Sequence, residues 1–159
     1  SETEDEAAFL ANISRLADRA AELDILIGIE IHGEITSSAR NAIPVIERIN
    51  RSNVRLNYDT ANVEFYAGIS AVDDLALGIP YMVHGHLKDH IGGLRDWNFP
   101  AIGEGQIDFA RLLGLLEQGG YTGPLSVEIE FSGEPWPSLA EINRSMKSSY
   151  QHLASLGLS

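Results

Sequence analysis

The stretch ILIGIEIHGE, residues 25–34, contains the pattern from which the fold can be predicted. Up to Ile31 it is short, apolar and rich in β-branched residues, which predicts a buried strand. The residues that follow Ile31 are polar. Apolar residues recur at helical spacing over residues 3–22 before it and up to about residue 50 after it, where Ser37 or Ser38 can cap a helix.

The same alternation of strand and helix continues along the chain. Further strands are predicted over 54–58, 81–87 and 124–130, and helices over 73–77, 107–118 and 139–156. Such alternation is typical of parallel strands joined by helical crossovers. A doubly wound open sheet and a (β/α)8 barrel both fit, although a barrel normally needs roughly 250 residues. The sequence has neither a Gly-x-Gly-x-x-Gly motif after a strand nor a Walker A motif, so nothing indicates a nucleotide-binding fold.

The composition indicates a globular protein and excludes several classes of function. The 159 residues include 11 Lys and Arg against 23 Asp and Glu, which gives a net charge of −12. Nucleic acids and anionic membrane surfaces attract basic proteins, so we expect neither as a partner. Without cysteine there is no disulfide and no thiol nucleophile. Because the acidic start lacks the basic region of a signal peptide, we expect a cytoplasmic protein.

Each predicted strand ends in polar or charged side chains, at the end where α/β proteins build their sites. One residue from each strand end gives three carboxylates and one imidazole: Glu30, Asp59, His86 and Glu128. Three carboxylates that converge in one cavity would repel one another, and a divalent cation relieves that repulsion. Hard oxygen ligands with a single His suit Mn²⁺ or Mg²⁺, with Co²⁺, Fe²⁺ and Zn²⁺ as alternatives.

The three carboxylates also have purely structural interpretations, and for Glu128 this is an edge strand with a solvated acidic face. Glu30 can be a carboxylate paired with Arg40 or Lys88, and Asp59 can belong to a turn. Glu130 shares a strand face with Glu128, so either can be the inward ligand. The glycine-rich loop over 91–105 is either a flexible connection or a lid over the site, with Trp97 and Phe99 as its apolar contacts.

Four short motifs carry a resemblance to a known family. They are Glu-x-His-Gly-x-x-Thr at 30–36, Asn-Tyr-Asp-Thr-x-Asn at 57–62, His-x-His-x-Lys-Asp at 84–89 and Ser-Val-Glu at 126–128. Together they resemble the xylose isomerase-like TIM barrels, in particular the sugar phosphate isomerase/epimerase branch. The resemblance covers roughly residues 22–135 and corresponds to the second half of the family's barrel.

The resemblance implies a TIM barrel of which this chain, as a single domain over 1–159, holds the fifth to eighth strand–helix units. It implies one divalent metal ion, with Mn²⁺ as the favoured ion, bound by Glu30, Asp59, His86 and Glu128. Glu30 and Glu128 would also be the catalytic residues. His84 would then be structural or contact the substrate. Asn62 stands where related epimerases carry a substrate-contacting His, which suggests a different substrate. The implied substrate-binding residues are His32, Glu34, Asn62, His84, Lys88 and Arg95.

The chemistry that the resemblance implies is proton transfer beside a sugar carbonyl through an enediolate. Two carboxylates move the proton, and a metal stabilises the enediolate as a Lewis acid. A lyase of the inosose dehydratase kind is the alternative, since the same site can expel a hydroxyl, and a non-catalytic sugar-binding relative is another. A phosphodiesterase of the AP endonuclease kind shares the superfamily fold, but five His and a net charge of −12 argue against it.

The partner of this chain is expected to be a sugar or polyol, and the lack of a phosphate-cradling motif favours an unphosphorylated one. A half-barrel would expose a broad apolar sheet edge and face. The first residue is Ser1 and not Met. We therefore expect a fragment, an ordered part of a longer chain with the missing half of the barrel, or a homo-oligomer that pairs two halves.

Overall fold

A computed structural model describes residues 2–131 and 135–158 of the chain. The order of elements follows the predicted alternation, and most bounds lie within a few residues of the predicted ones. The strands are β1 Ile27–Glu30, β2 Val54–Asp59, β3 Met82–Leu87 and β4 Leu125–Val127. The helices are α1 Glu2–Ala21, α2 Ala39–Ile49, α3 Thr60–Asn62, α4 Ala71–Gly78, α5 Phe109–Gln118 and α6 Leu139–Ser155, with a π-helical segment Val63–Ala67 and a 3-10 turn Ile79–Tyr81.

The strands form one parallel sheet in the order β1-β2-β3-β4, which matches half of a TIM barrel. The open-sheet alternative requires a strand order that reverses, and this order does not reverse. β4 is shorter than the predicted strand over 124–130 and ends at Val127. The amide of Glu128 still donates to the carbonyl of Leu87 at 2.9 Å, so Glu128 continues the line of the strand.

An irregularity between β2 and β3 sets which side chains of β3 lie beside those of β2. Leu56 pairs with Met82, but the next residue, Asn57, pairs with His84. Val83 is therefore an extra residue on β3, which is the arrangement of a β-bulge. As a result His86 lies directly opposite Asp59.

The core lies between the sheet and the helices on one of its faces. Its largest buried side chains include Tyr58 and Leu56 of β2, Ile49 of α2, Leu75 of α4 and Phe109 of α5. Ser38 caps α2 by accepting from the amide of Asn41, as one of the two predicted candidates. No helix in the described part of the chain is long and apolar enough to cross a membrane.

The opposite face of the sheet is polar, which makes the expectation of a broad apolar face wrong. Side chains alternate between faces along a strand, so the residues between the core positions point away from the helices. Besides the candidate ligands, the strand residues on this second face are Val83 and a set of small or polar residues: Gly28, Arg55, Asn57, His84 and Ser126. The apolar strand residues that the sequence shows are directed to the helices instead.

The long loop between β3 and α5 is fastened to the end of β3 by Asp89, which is buried. Its carboxylate accepts from four backbone amides, those of His90, Gly103 and Gly105 at 2.9 Å and of Ile107 at 3.2 Å. Gly105 lies so close that a Cβ at this position would be 2.2 Å from Oδ1 of Asp89. The sequence leaves open whether this loop is a flexible connection or a lid over the site. In the structure these bonds hold its base, and Trp97 and Phe99 of the loop lie in the wall of the cavity at the strand ends.

Candidate metal centre

The four side chains chosen from the strand ends come together. Glu30 is the last residue of β1, Asp59 the last of β2, His86 lies near the end of β3, and Glu128 follows β4. Each residue offers one ligand atom, and these atoms all lie within 4.8 Å of one another. The parallel register explains this, because it aligns the carboxyl ends of neighbouring strands at one edge of the sheet.

Three carboxylates surround one nitrogen of the His86 ring. Nδ1 lies 2.8 Å from Oε2 of Glu128, 3.4 Å from Oε1 of Glu30 and 3.8 Å from Oδ2 of Asp59. Nδ1 nevertheless has no hydrogen-bond partner of acceptable geometry, and neither has Oδ2 of Asp59, although both atoms are buried. Unpaired buried polar atoms are costly, and a cation between them would satisfy both. The donor set therefore fits a divalent metal.

The electrostatics of the cluster follow from this crowding. The carboxylates of Asp59, Glu128 and Glu30 raise the pKa of His86 to about 11. His86, followed by Lys88, lowers the pKa of Glu128 to about 2 against the opposing effect of burial. Burial raises the pKa of Asp59 above its ordinary value, against the opposing effects of His86 and Lys88. Without a metal, a protonated imidazole thus supplies positive charge to the carboxylates.

Asn57 contacts the other nitrogen of the His86 ring, and sequence reasoning did not select it. Its Nδ2 lies 3.2 Å from Nε2, while its Oδ1 is buried without a partner. Turning the amide by 180° would let Oδ1 accept a hydrogen bond from the Nε2–H group. Metal-binding imidazoles usually donate their second N–H to such a partner, which orients the ring. Asn57 is therefore suited to hold Nδ1 toward the carboxylates.

Lys88 is buried beside the four candidate ligands. Its Nζ lies 3.3 Å from Oδ1 of Asn62 and 3.4 Å from Oε1 of Glu128, and it forms a close ion pair with Glu130. Burial acts to lower the pKa of Lys88, but the surrounding carboxylates, Asp59 first, keep it above its ordinary value. The structural alternative, in which Glu30 pairs with Lys88 or Arg40, is wrong. Glu30 lies against His86, Lys88 pairs with other carboxylates, and Arg40 lies on a different surface.

A small cavity opens next to the four candidate ligands. Tyr66 forms part of its wall and its hydroxyl lies 2.9 Å from Nε2 of His32. Phe65 packs edge-on against Trp97 with ring centroids 5.5 Å apart. Three of the predicted substrate-binding residues, His32, Asn62 and Lys88, line this cavity. The complete lining is Glu30, His32, Asn62, Phe65, Tyr66, Lys88, Trp97, Phe99, Glu128 and Glu130.

The other predicted substrate-binding residues do not line the cavity. His84 lies next to His86 and its Nε2 is 2.8 Å from Oγ of Ser126, and burial lowers its pKa. Glu34 is exposed and lies with Arg40 on a different surface. The guanidinium of Arg95 is 5.0 Å from the centre of the Tyr66 ring, outside the lining residues. Of these three, only His84 and Arg95 adjoin the site.

Two lining residues, Phe65 and Tyr66, had no signal in the sequence. Both belong to the π-helical segment Val63–Ala67 that follows β2. Such segments are uncommon and are frequent at functional sites. A Phe-Tyr pair after a strand is otherwise typical of a core, so periodicity alone does not direct these side chains to a site.

Comparison with known proteins agrees with the fold. The family model for the xylose isomerase-like TIM barrel matches residues 1–153. A ketose 3-epimerase from Arthrobacter globiformis is 30% identical over 86% of this chain and 47% of its own length. A probable L-ribulose-5-phosphate 3-epimerase from Mycoplasma pneumoniae is 24% identical over 94% of this chain and 48% of its own length.

Solved structures give the same result for the fold. A xylose isomerase domain protein from Planctomyces limnophilus has a TM-score of 0.77 and 24% identity, covering 94% of this chain and 51% of that chain. The present chain therefore spans about half the length of the proteins it matches.

Proposed function

The chain belongs to the xylose isomerase-like TIM barrel family, and on that premise we propose that it forms the metal-binding half of a sugar isomerase or epimerase. The supporting observation is the convergence of Glu30, Asp59, His86 and Glu128 beside a cavity with hydrogen-bonding and aromatic walls. The names of the two relatives, both 3-epimerases, favour epimerisation of a ketose.

The four converging side chains would hold one divalent ion. Three carboxylates and a single imidazole favour Mn²⁺ or Mg²⁺ over softer metals. When bound, the ion would act as a Lewis acid toward the oxygens of a sugar carbonyl and its neighbouring hydroxyl. Asn57 would orient the imidazole through its contact with Nε2.

Glu30 and Glu128 are the candidate acid–base pair. They come from the first and the last strand of the sheet, so they approach the cluster from its two sides. One carboxylate would take the proton from the carbon beside the carbonyl, which leaves an enediolate. Return of a proton to the opposite face of that carbon by the other carboxylate gives the epimer, with no net gain or loss of atoms.

The cavity walls would bind the rest of the sugar. Lys88 and Asn62 offer hydrogen bonds to hydroxyl groups, and His32 and Tyr66 do so from the other side. Aromatic rings such as Trp97 and Phe99 would cover the apolar C–H surface of the sugar. A further four strands would complete the wall, supplied either by additional polypeptide or by a second copy of the chain.

Metal content tests the centre of this proposal. The purified protein is loaded with Mn²⁺, dialysed and measured by mass spectrometry of the metal. We expect one ion per chain in the wild type and in the exposed control Glu117→Gln, and none in Glu128→Gln, which keeps the shape but loses the charge. Retention of the ion by Glu128→Gln, or its absence from a folded wild type, would refute the proposed centre.

Proton transfer is tested separately by incubating the loaded protein with ketoses in heavy water. We expect deuterium to enter at the carbon beside the carbonyl, and the epimer to form. Elimination of water from a keto-inositol, with ketoses left unchanged, would instead indicate a lyase.

A further inference from the structure

The ion pair between Lys88 and Glu130 forms part of the cavity wall next to the candidate metal cluster. Lys88 is only 2% exposed, and its ammonium also lies 4.5 Å from the centre of the Phe99 ring. The side chain is thus enclosed on several sides, and Glu130 neutralises the charge that Lys88 brings to the cavity.

The charges of the cavity wall are strongly unbalanced. Among its described lining residues, Lys88 is the only lysine or arginine, whereas Glu30, Glu128 and Glu130 are all acidic. Arg95 stands outside the lining, with its guanidinium over the Tyr66 ring. A phosphate dianion in this cavity would face the Glu130 carboxylate and would have to compete with it for Lys88.

A sugar hydroxyl meets different conditions at the same place. A hydroxyl both donates and accepts hydrogen bonds, whereas an ammonium only donates and a carboxylate only accepts. One hydroxyl can therefore replace one of the two long contacts of Lys88, with Asn62 at 3.3 Å or Glu128 at 3.4 Å, and donate to Glu130 while the ion pair stays intact. A phosphate has no proton to offer Glu130 once it is fully ionised.

We propose that Glu130 is a specificity-determining residue, which reserves Lys88 for hydroxyl groups and so selects neutral sugars over sugar phosphates. This inference rests on the proposed function, because it assigns a substrate class to the same cavity. Glu130 would disfavour a phosphate in two ways: it forms an ion pair with the one lysine of the described wall, and it adds a negative charge beside that lysine.

Equilibrium binding to the Mn²⁺-loaded protein tests this without relying on turnover. The ligands are L-ribulose and its 5-phosphate, which have the same carbon skeleton; the phosphate on O5 also prevents furanose closure, a difference that is common to all three proteins and cancels when their preferences are compared. The proteins are the wild type, Glu130→Gln, which frees Lys88 at nearly constant shape, and Glu117→Gln, which makes the same change of net charge on an exposed part of α5.

We expect the wild type to bind L-ribulose at least about tenfold more tightly than the phosphate. In Glu130→Gln this preference should fall by about 10- to 100-fold, the range that corresponds to one hydrogen bond with a charged group. Glu117→Gln should keep the wild-type preference. Tighter binding of the phosphate by the wild type, or an equal shift in the two variants, would overturn the inference.

Two further results separate this inference from the proposed function. Selective binding of L-ribulose without deuterium exchange would uphold the role of Glu130 and refute the proposed reaction. Binding of neither ligand by a metal-loaded protein would refute the inference together with the sugar substrate.

Discussion

Replacement of Asp89 by Asn should destabilise the protein strongly, although the two side chains have nearly the same shape. Each carboxylate oxygen of Asp89 accepts from two backbone amides, Oδ1 from His90 and Ile107 and Oδ2 from Gly103 and Gly105. An Asn amide has one accepting oxygen, so whichever way it turns, its NH₂ group faces two N–H donors.

The size of the effect follows from the two lost bonds. A hydrogen bond to a charged group contributes about 1.5–3 kcal/mol, so losing two should cost about 3–6 kcal/mol. The free energy of unfolding is measured by urea denaturation with the slope m held in common. Asp96→Asn is the matched control: its exposed carboxylate accepts from the amide of Gly93 at 2.7 Å, a bond that one oxygen can keep. We expect at most about 0.5 kcal/mol there. A loss below about 1 kcal/mol for Asp89→Asn would refute the reasoning.

Four further predictions concern the site and its loop. Because the pKa of His86 is raised to about 11 in the metal-free protein, each bound ion should displace about one proton between pH 7 and 9. Calorimetry in two buffers of different ionisation enthalpy should count that proton, and titrations at several pH values should show about tenfold tighter binding per pH unit. Binding independent of pH would contradict this. The same raised pKa stabilises the metal-free fold in full below the ordinary pKa of 6.5, and this contribution is lost as the pH rises toward 11. Tyr66→Phe removes the hydroxyl 2.9 Å from His32 and should weaken sugar binding by roughly 3- to 10-fold, measured as Kd, with metal content unchanged. Gly105→Ala should lower the free energy of unfolding by about 1–3 kcal/mol, because its Cβ would meet Asp89 at 2.2 Å; an unchanged urea midpoint would show that the loop adjusts without cost.

The elements that the sequence predicts well are those with a strong local pattern. The stretch up to Ile31 forms a strand because β-branched apolar residues fit a buried sheet, and Glu30 at its end has no role in a core. The same reasoning applied to each strand selected the four residues that the structure brings together. Their role as metal ligands stays a prediction.

The parts that the sequence did not predict depend on contacts between distant segments. Asp89 holds the amide of Ile107, 18 residues away, and Lys88 meets Glu130 across 42 positions of sequence. Neither contact produces a periodic pattern in the sequence from which it could be predicted. The polar face of the sheet was missed for another reason: the five apolar residues among positions 25–31 make this stretch read as uniformly apolar, although Gly28 and Glu30 alternate with Ile27 and Ile29 within β1.

Because of the bulge at Val83, the candidate centre depends on how β3 is aligned with β2. In an uninterrupted ladder, Asp59 would lie opposite Gly85 instead of His86, and the imidazole would turn to the helices, because successive residues alternate between faces. The same shift would turn the buried Leu87 away from the helices and bring His84 toward them, so the candidate cluster and the hydrophobic interior depend on one and the same register. One residue inserted between Val83 and His86 would therefore disturb the candidate cluster and the core together, and any loss of metal binding in such a variant should come with a loss of stability.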